Sequence, residues 1–341
     1  MIHGERVQRL NDQEIRRGGD YVLYWMQRAQ RAEDNHALEF AIREANVRGL
    51  PLLAVFGITQ RFPDANTRSY AFMLEGLRET KQALAERDIR LEVRLQPPVD
   101  AVRELGGDAA TVVVDRGYLR IERRWRERAA QGLACPLIQV ESDVVVPVET
   151  ASPKQEYAAY TIRPKIHDHL DTFLHPLEKS DLERGTMERV ARGLSLEDIE
   201  SLLNRMFINR NAERVSSFHG GATEANKLLD TFIEEKLPSY DEERNDPSQD
   251  YLSHMSPYLH FGQISPLKIA LMVQKAEGVG RENKEGYLEE LIVRRELSMN
   301  YCLYNASYDS MAGLPDWARQ TLQEHAGDRR THVYDLEAFE N

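Results

Sequence analysis

The stretch SYDEERNDPSQDYLSHMSPYLHFGQIS (239–265) packs hydroxyls, an arginine, aromatics and helix-start signals into a short space. Ser253 and Ser256 stand at or just before a helix start, with Pro257 in its first turn. Free backbone N–H groups and hydroxyl donors in that arrangement suit a phosphate or diphosphate. Tyr240 and Arg244 are spaced i, i+4. A plainer account is an ordinary N-cap backed by core aromatics, since serine before proline is a common helix start.

Two further stretches carry chemistry-bearing residues. In YLEELIVRRELSMNY (287–301), Leu288, Leu291 and Ile292 form an apolar stripe, and Glu290 and Arg294 share a face. Taken alone, such charges read as a solvated face whose ion pairs contribute about 0.3 kcal/mol each. In ASPKQEYAAYTIRPKIHDHLDTFL (151–174), Arg163, Lys165, His167 and His169 cluster around Pro164. His167 and His169, at i, i+2, diverge on a helix, so no metal site is expected there.

The elements that must position these residues differ between the two halves of the chain. YVLYWM (21–26), LPLLAVFGI (50–58), LEVRLQ (91–96), TVVVDRG (111–117) and PLIQVES (136–142) read as strands, bounded by Gly, Pro or Asp. Helical periods at 35–47 and 67–86 lie between them, with Gly49 as a C-terminal stop. Strands apolar on both faces, alternating with helices, predict a Rossmann-like parallel sheet covered on both sides. No G-x-G-x-x-G follows the first strand and no Walker A motif occurs, so a dinucleotide or P-loop site is not expected. From about residue 155 helical periods dominate, at 157–178, 195–206, 223–235, 265–277 and 286–304, and 238–257 reads as an ordered loop. The expected fold class is therefore α/β with an all-helical second part: an α/β domain at 1–150, a connector at 151–194 and a helical domain at 195–341.

Composition sets the outer bounds. The 341 residues are too many for one ordinary domain, and 41% hydrophobic with 29% charged is a globular balance. No apolar run reaches the 18 residues expected of a membrane span. The opening MIHGERVQRLNDQEIRRGGD has no apolar core of a secretory signal, and two cysteines cannot frame a disulfide scaffold, so a cytoplasmic protein is expected. The net charge of −12 is uneven: 22 basic against 23 acidic residues up to position 150, then 22 against 33. That argues against a nucleic-acid partner at long range but leaves room for a local basic patch. The arginines of 116–128 alternate with Glu122 and Glu127 and read as a solvated helix, and Trp25, Trp125 and Trp317 read as packing residues.

In sequence order, GGDYVLYWMQRAQRAEDNHALEFAI (18–42), VVDRGYLRIERRWR (113–126), QVESDVVVPVE (139–149), YTIRPKIHDHL (160–170), MSPYLHFGQISP (255–266) and ELIVRRELSMNYCLYN (290–305) resemble the class II branch of the cyclobutane-pyrimidine-dimer DNA photolyases, in the photolyase/cryptochrome family. The resemblance covers nearly the whole chain. It implies light-driven repair of pyrimidine dimers in DNA by electron transfer from reduced FAD, a carbon–carbon lyase reaction. It further implies that the helical domain holds FAD and the α/β domain a second chromophore, a deazaflavin or a folate. UV-damaged DNA, with the dimer flipped out, is the implied partner of a monomer.

Residue by residue, Tyr240 and Arg244 match the Tyr and Arg beside the flavin, and Leu252, Ser253, Met255 and Ser256 match the turn that binds its diphosphate. Glu290 matches the acid that hydrogen-bonds the dimer, and Arg294 falls near the lesion or its phosphates. Complete members continue through further helices beyond THVYDLEAFEN (331–341), so the resemblance implies a chain lacking the C-terminal part of the FAD-binding domain. Two other readings follow: a cryptochrome-like blue-light flavoprotein without repair, and an inactive fragment unable to hold FAD. A nucleotide-binding α/β protein accounts for the first 150 residues alone.

Overall fold

The computed structural model describes residues 2–185 and 193–340; residues 186–192 of the expected connector lie outside them. Six strands form one sheet: β1 (Val7–Arg9), β2 (Tyr21–Trp25), β3 (Leu52–Gly57), β4 (Arg90–Arg94), β5 (Ala109–Asp115) and β6 (Leu137–Val140). Their order is β1-β6-β5-β2-β3-β4, parallel throughout except for β1, which runs antiparallel to β6. All five expected strands are present. β1 gave no sequence signal because three residues, two of them exposed, are too short to show a period.

The alternation of side chains along a strand sorts the apolar residues into two cores. Val22, Tyr24, Leu52, Ala54 and Phe56 pack on one face, against α1 (His36–Arg48) and α2 (Thr67–Ala85). Leu23, Trp25, Leu53, Val55, Val112 and Val114 pack on the other, against α3 (Pro98–Gly106) and α4 (Arg120–Gly132). Asn35 and Asn66 cap α1 and α2 by accepting the N–H of Leu38 and Ser69. Gly49 stops α1 at φ +60° with its N–H on the Ala45 and Asn46 carbonyls, as its position predicts.

A third core fills the helical half, where Ile162 and Ile166, Leu229 and Phe232, Ile269 and Val273, and Leu291 to Val293 meet. The segment read as one helix over 286–304 divides into Arg281–Leu288, a π-helical turn at Glu289–Arg294 and a helix at Arg295–Tyr304. The Arg295 N–H reaches the Glu290 carbonyl, five residues back. The loop expected at 238–257 holds one turn of helix at Tyr240–Glu243, and Ser256–His260 is a helix of five residues. No described helix is long and apolar enough to cross a membrane.

Three sequence expectations are corrected. The helix Ile199–Arg205 packs with Leu196 and Met206 on the core beneath α2, because its apolar face fits there and not in the helical half. Of the arginines of 116–128, Arg124 and Arg128 are exposed as expected, but the other four are not simply solvated. Arg116 pairs with Glu141 and Glu149, and Arg126 is buried on Gln27 and the Gly117 carbonyl. Arg120 and Arg123 cross to Asp309 and the Leu303 carbonyl, tying α4 to the helical half. Of the tryptophans, Trp25 is fully buried, Trp125 is half-buried with its ring on Phe62, and Trp317 is 71% exposed.

Candidate functional site

The helical half opens into a cleft of about 520 Å3. Tyr240, Leu252, Ser253, Met255 and Ser256 line one side, and Glu290 and Leu291 the other. Three stretches of sequence therefore converge on one space. Tyr240 is fixed by an aromatic cluster: its ring meets Phe232 edge-on at 5.7 Å and Tyr287 at 5.3 Å. Burial raises the pKa of Tyr240, and the Arg244 hydrogen bond opposes it. The Leu252–Ser256 turn is strained at His254, at φ +57°, whose ring is held by Asp250 at 2.7 Å. Ser253 Oγ accepts the Met255 N–H at 3.4 Å, and Met255, not a serine, stands at the N-cap of the helix that Ser256 opens. With only five residues, the helix behind this turn has little macrodipole, so any anion held there would rest on individual N–H and O–H donors.

Arg244 and Arg294 stand behind this lining and hold its carboxylate. Arg244 Nη1 and Arg294 Nε each lie 3.1 Å from Glu290 Oε1. The Arg244 guanidinium also lies over the Tyr240 ring, 5.5 Å from its centroid. Behind them Glu289 takes both prongs of Arg163, at 2.9 and 2.7 Å, and this pairing holds its carboxyl below the usual range. The π turn puts Glu289 and Glu290 side by side with Arg294 in reach of both, at 3.8 and 3.1 Å. Such widened turns recur at functional sites because they re-aim side chains.

The cleft has further walls that spacing alone did not identify: Arg28, Phe218, His254, His260, Arg295 and Met299. Arg28 directly follows β2, where an open parallel sheet presents its ligand-binding loops, and that position was the available signal. His260 keeps an exposed edge, yet the atoms packed around it and then Arg28 lower its pKa to about 4. Arg295 is held by the Asp143 carbonyl at 2.5 Å.

A second cleft, of about 330 Å3, lies at the C-terminal ends of β2 and β3. Met26, Gln27 and Arg28 line it from β2, Ile58 and Thr59 from β3, and Glu122 and Trp125 from α4. The strand order reverses between β2 and β5, so this is the crevice that open α/β sheets use for ligands. Asp115 builds its rim, accepting the N–H groups of Gln27, Arg28 and Ala29 at 2.7, 2.5 and 3.0 Å. Gln27 Nε2 and Gln30 Oε1 are buried there with no partner. Arg28 and His260 line both clefts, so a single wall separates them.

The DNA photolyase family profile matches residues 22–182. A deoxyribodipyrimidine photo-lyase of Methanothermobacter thermautotrophicus (strain ATCC 29096 / DSM 1053 / JCM 10044 / NBRC 100330 / Delta H) is 46% identical over 341 residues, all of this chain and 74% of that protein. The chain belongs to the DNA photolyase family. The Potorous tridactylus deoxyribodipyrimidine photo-lyase is 36% identical over 327 residues, covering 94% of this chain and 60% of that protein. A Synechocystis sp. PCC6803 cryptochrome shares the fold, with a TM-score of 0.68 at 18% identity over 84% of this chain and 62% of that one. In this DNA photolyase family member the profile match takes in the parallel strands from Val22 onward and most of the strand-end cleft, but neither β1 nor His260. Apart from Arg28, the lining of the helical cleft lies beyond residue 182, within the span aligned to the Methanothermobacter protein.

Proposed function

We propose that the chain is a light-driven deoxyribodipyrimidine photo-lyase of class II type, acting as a cytoplasmic monomer on pyrimidine dimers in UV-damaged DNA. The observation that carries this reading is the convergence of Tyr240, the Leu252–Ser256 turn and Glu290 on one cleft. The same reading divides the chain into an α/β part at 1–150, a connector at 151–194 and a helical FAD-binding part after it, whose first helix, Ile199–Arg205, packs back on the α/β core.

The residues present fit FAD. A cleft of about 520 Å3 is within the cofactor range, and the buried Arg244 Nε behind it has no partner. Tyr240 and Arg244 would lie beside the flavin, and Leu252, Ser253, Met255 and Ser256 would hold its diphosphate through N–H and O–H donors. When bound, reduced FAD would supply light-driven electron donation for a reaction that is redox-neutral overall. Glu290 hydrogen-bonds the flipped dimer. Both arginine contacts fall on its Oε1, which leaves Oε2 for the lesion. Arg294, more than half exposed, faces the lesion's phosphates. A dimer pairs poorly, so flipping it costs less than flipping a normal pair; photolyases are a standard instance of this economy.

The strand-end cleft is the proposed seat of the second chromophore, a deazaflavin or a folate. Gln27 Nε2 and Gln30 Oε1 offer it one donor and one acceptor, and Trp125 an aromatic wall.

The test is the visible absorption spectrum of the purified chain with released flavin quantified, followed by a light-dependent repair assay. Stoichiometric FAD and light-dependent loss of dimers are expected. Absence of flavin after reconstitution with excess FAD overturns the reading.

A further inference from the structure

Tyr157 and Tyr160 are 72% and 63% exposed, in a chain whose large aromatics are mostly covered. Their rings meet edge-on at 6.0 Å and 79°, with the hydroxyls 3.2 Å apart. Touching each other, they turn their remaining ring surface to solvent. Tyr160 lies one turn before Arg163 on the helix Ala159–Phe173, so the two share a face. Arg163 grips Glu289, Arg294 reaches both Glu289 and Glu290, and Glu290 lines the helical cleft. The aromatic pair thus shares a helix face with the residue at which a run of paired charges to the cleft begins, and the exposed Lys154 precedes Tyr157 by three residues.

We infer that Tyr157 and Tyr160 form a stacking platform for unpaired DNA bases beside the flipped dimer, an inference that rests on the DNA-repair reading above. An aromatic face accepts any base, which suits an enzyme whose lesion lies in arbitrary sequence. Flipping a dimer unstacks its neighbours, and an exposed tyrosine pair at the start of the helix that holds Glu289 replaces the stacking they lose. Lys154 and Arg294 provide the cationic edge that a phosphate backbone requires.

The experiment titrates a fluorescein-labelled oligothymidylate, with and without a thymine dimer, into the full chain and follows anisotropy in the dark. The chains compared are the parent, Y157A/Y160A and Y157F/Y160F. Removing both rings is expected to weaken binding about tenfold, while the phenylalanine pair keeps parental affinity because the ring faces remain. The slope of log affinity against log salt stays the same in all three, since no charge is removed. Both side chains are exposed, so thermal melting of the variants is expected to match the parent.

Parental affinity in Y157A/Y160A overturns this inference alone and leaves the repair reading standing. Equal losses in both variants also overturn it, because the hydroxyls and not the rings would then carry the effect. A parent chain that binds neither oligonucleotide overturns the repair reading and this one with it.

Discussion

Arg244 and Glu290 are 46 residues apart in the chain and 3.1 Å apart in space. That pair ties together, behind the lining of the helical cleft, two segments with different local structure: one turn of helix around Tyr240 and a π turn around Glu290. Arg294 completes the clamp on the same carboxylate oxygen. The half-exposed carboxylate is held in one place by two cations and remains open to the cleft.

Glu290→Gln keeps the shape of the side chain but removes the charge that both arginines grip. Light-dependent repair is expected to fall about ten- to a hundredfold, the range for a charged hydrogen bond, with flavin content unchanged. Repair rate and released FAD, measured on one preparation, check this. Parental repair in the variant would remove Glu290 from the site.

Glu296 gives the protein a pH-dependent stability. It accepts the N–H groups of Val145 and Val146 at 2.5 and 3.3 Å, and burial raises its pKa to about 8 against those bonds and Arg295. The folded state therefore binds a proton that the unfolded state releases near pH 4.5. The corresponding stability is complete below about pH 4.5, declines as pH rises toward 8 and is gone above it. Urea unfolding between pH 5 and 9 should show that decline, on the order of 2–4 kcal/mol, and Glu296→Gln should flatten it.

Asp115→Ala strips the acceptor from three backbone N–H groups beside the strand-end cleft and from the hydroxyl of the buried Tyr24. Orphaning these groups should cost about 3 kcal/mol or more in urea unfolding. The Gln27–Ala29 loop should also lose amide protection in hydrogen exchange, while the core of α2 keeps it.

Gly262 sits at φ +63°, and a Cβ there would fall 1.8 Å from the Arg28 carbonyl oxygen. Gly262→Ala is therefore both strained and obstructed, at the point where the helical half meets the loop after β2. A loss of about 2 kcal/mol or more is expected, with altered binding in both clefts, since Arg28 lines both. A variant with parental melting and flavin content would show that this approach is not required.

The sequence by itself determined the α/β half almost completely. Apolar runs such as YVLYW and TVVVD are strands buried on both faces, and a short continuous apolar run bounded by turn residues is a local signal, so it survives without knowledge of the partners. Asn35, Asn66 and Gly49 mark their helix ends because capping is chemistry between near neighbours. The residues that converge on the helical cleft were legible as motifs. Tertiary structure alone decided what they touch: Arg244 on Glu290, Arg28 and His260 between two clefts, and Arg120 and Arg123 reaching across to Asp309 and Leu303. The arginine-rich helix looked solvated because its carboxylate and carbonyl partners lie far along the chain, and the Glu289–Arg294 segment looked like plain α-helix because side-chain period cannot reveal one extra residue in a turn. Local signals specify local conformation. Ion pairs, orphaned polar atoms and clefts arise only when segments distant in sequence are brought together.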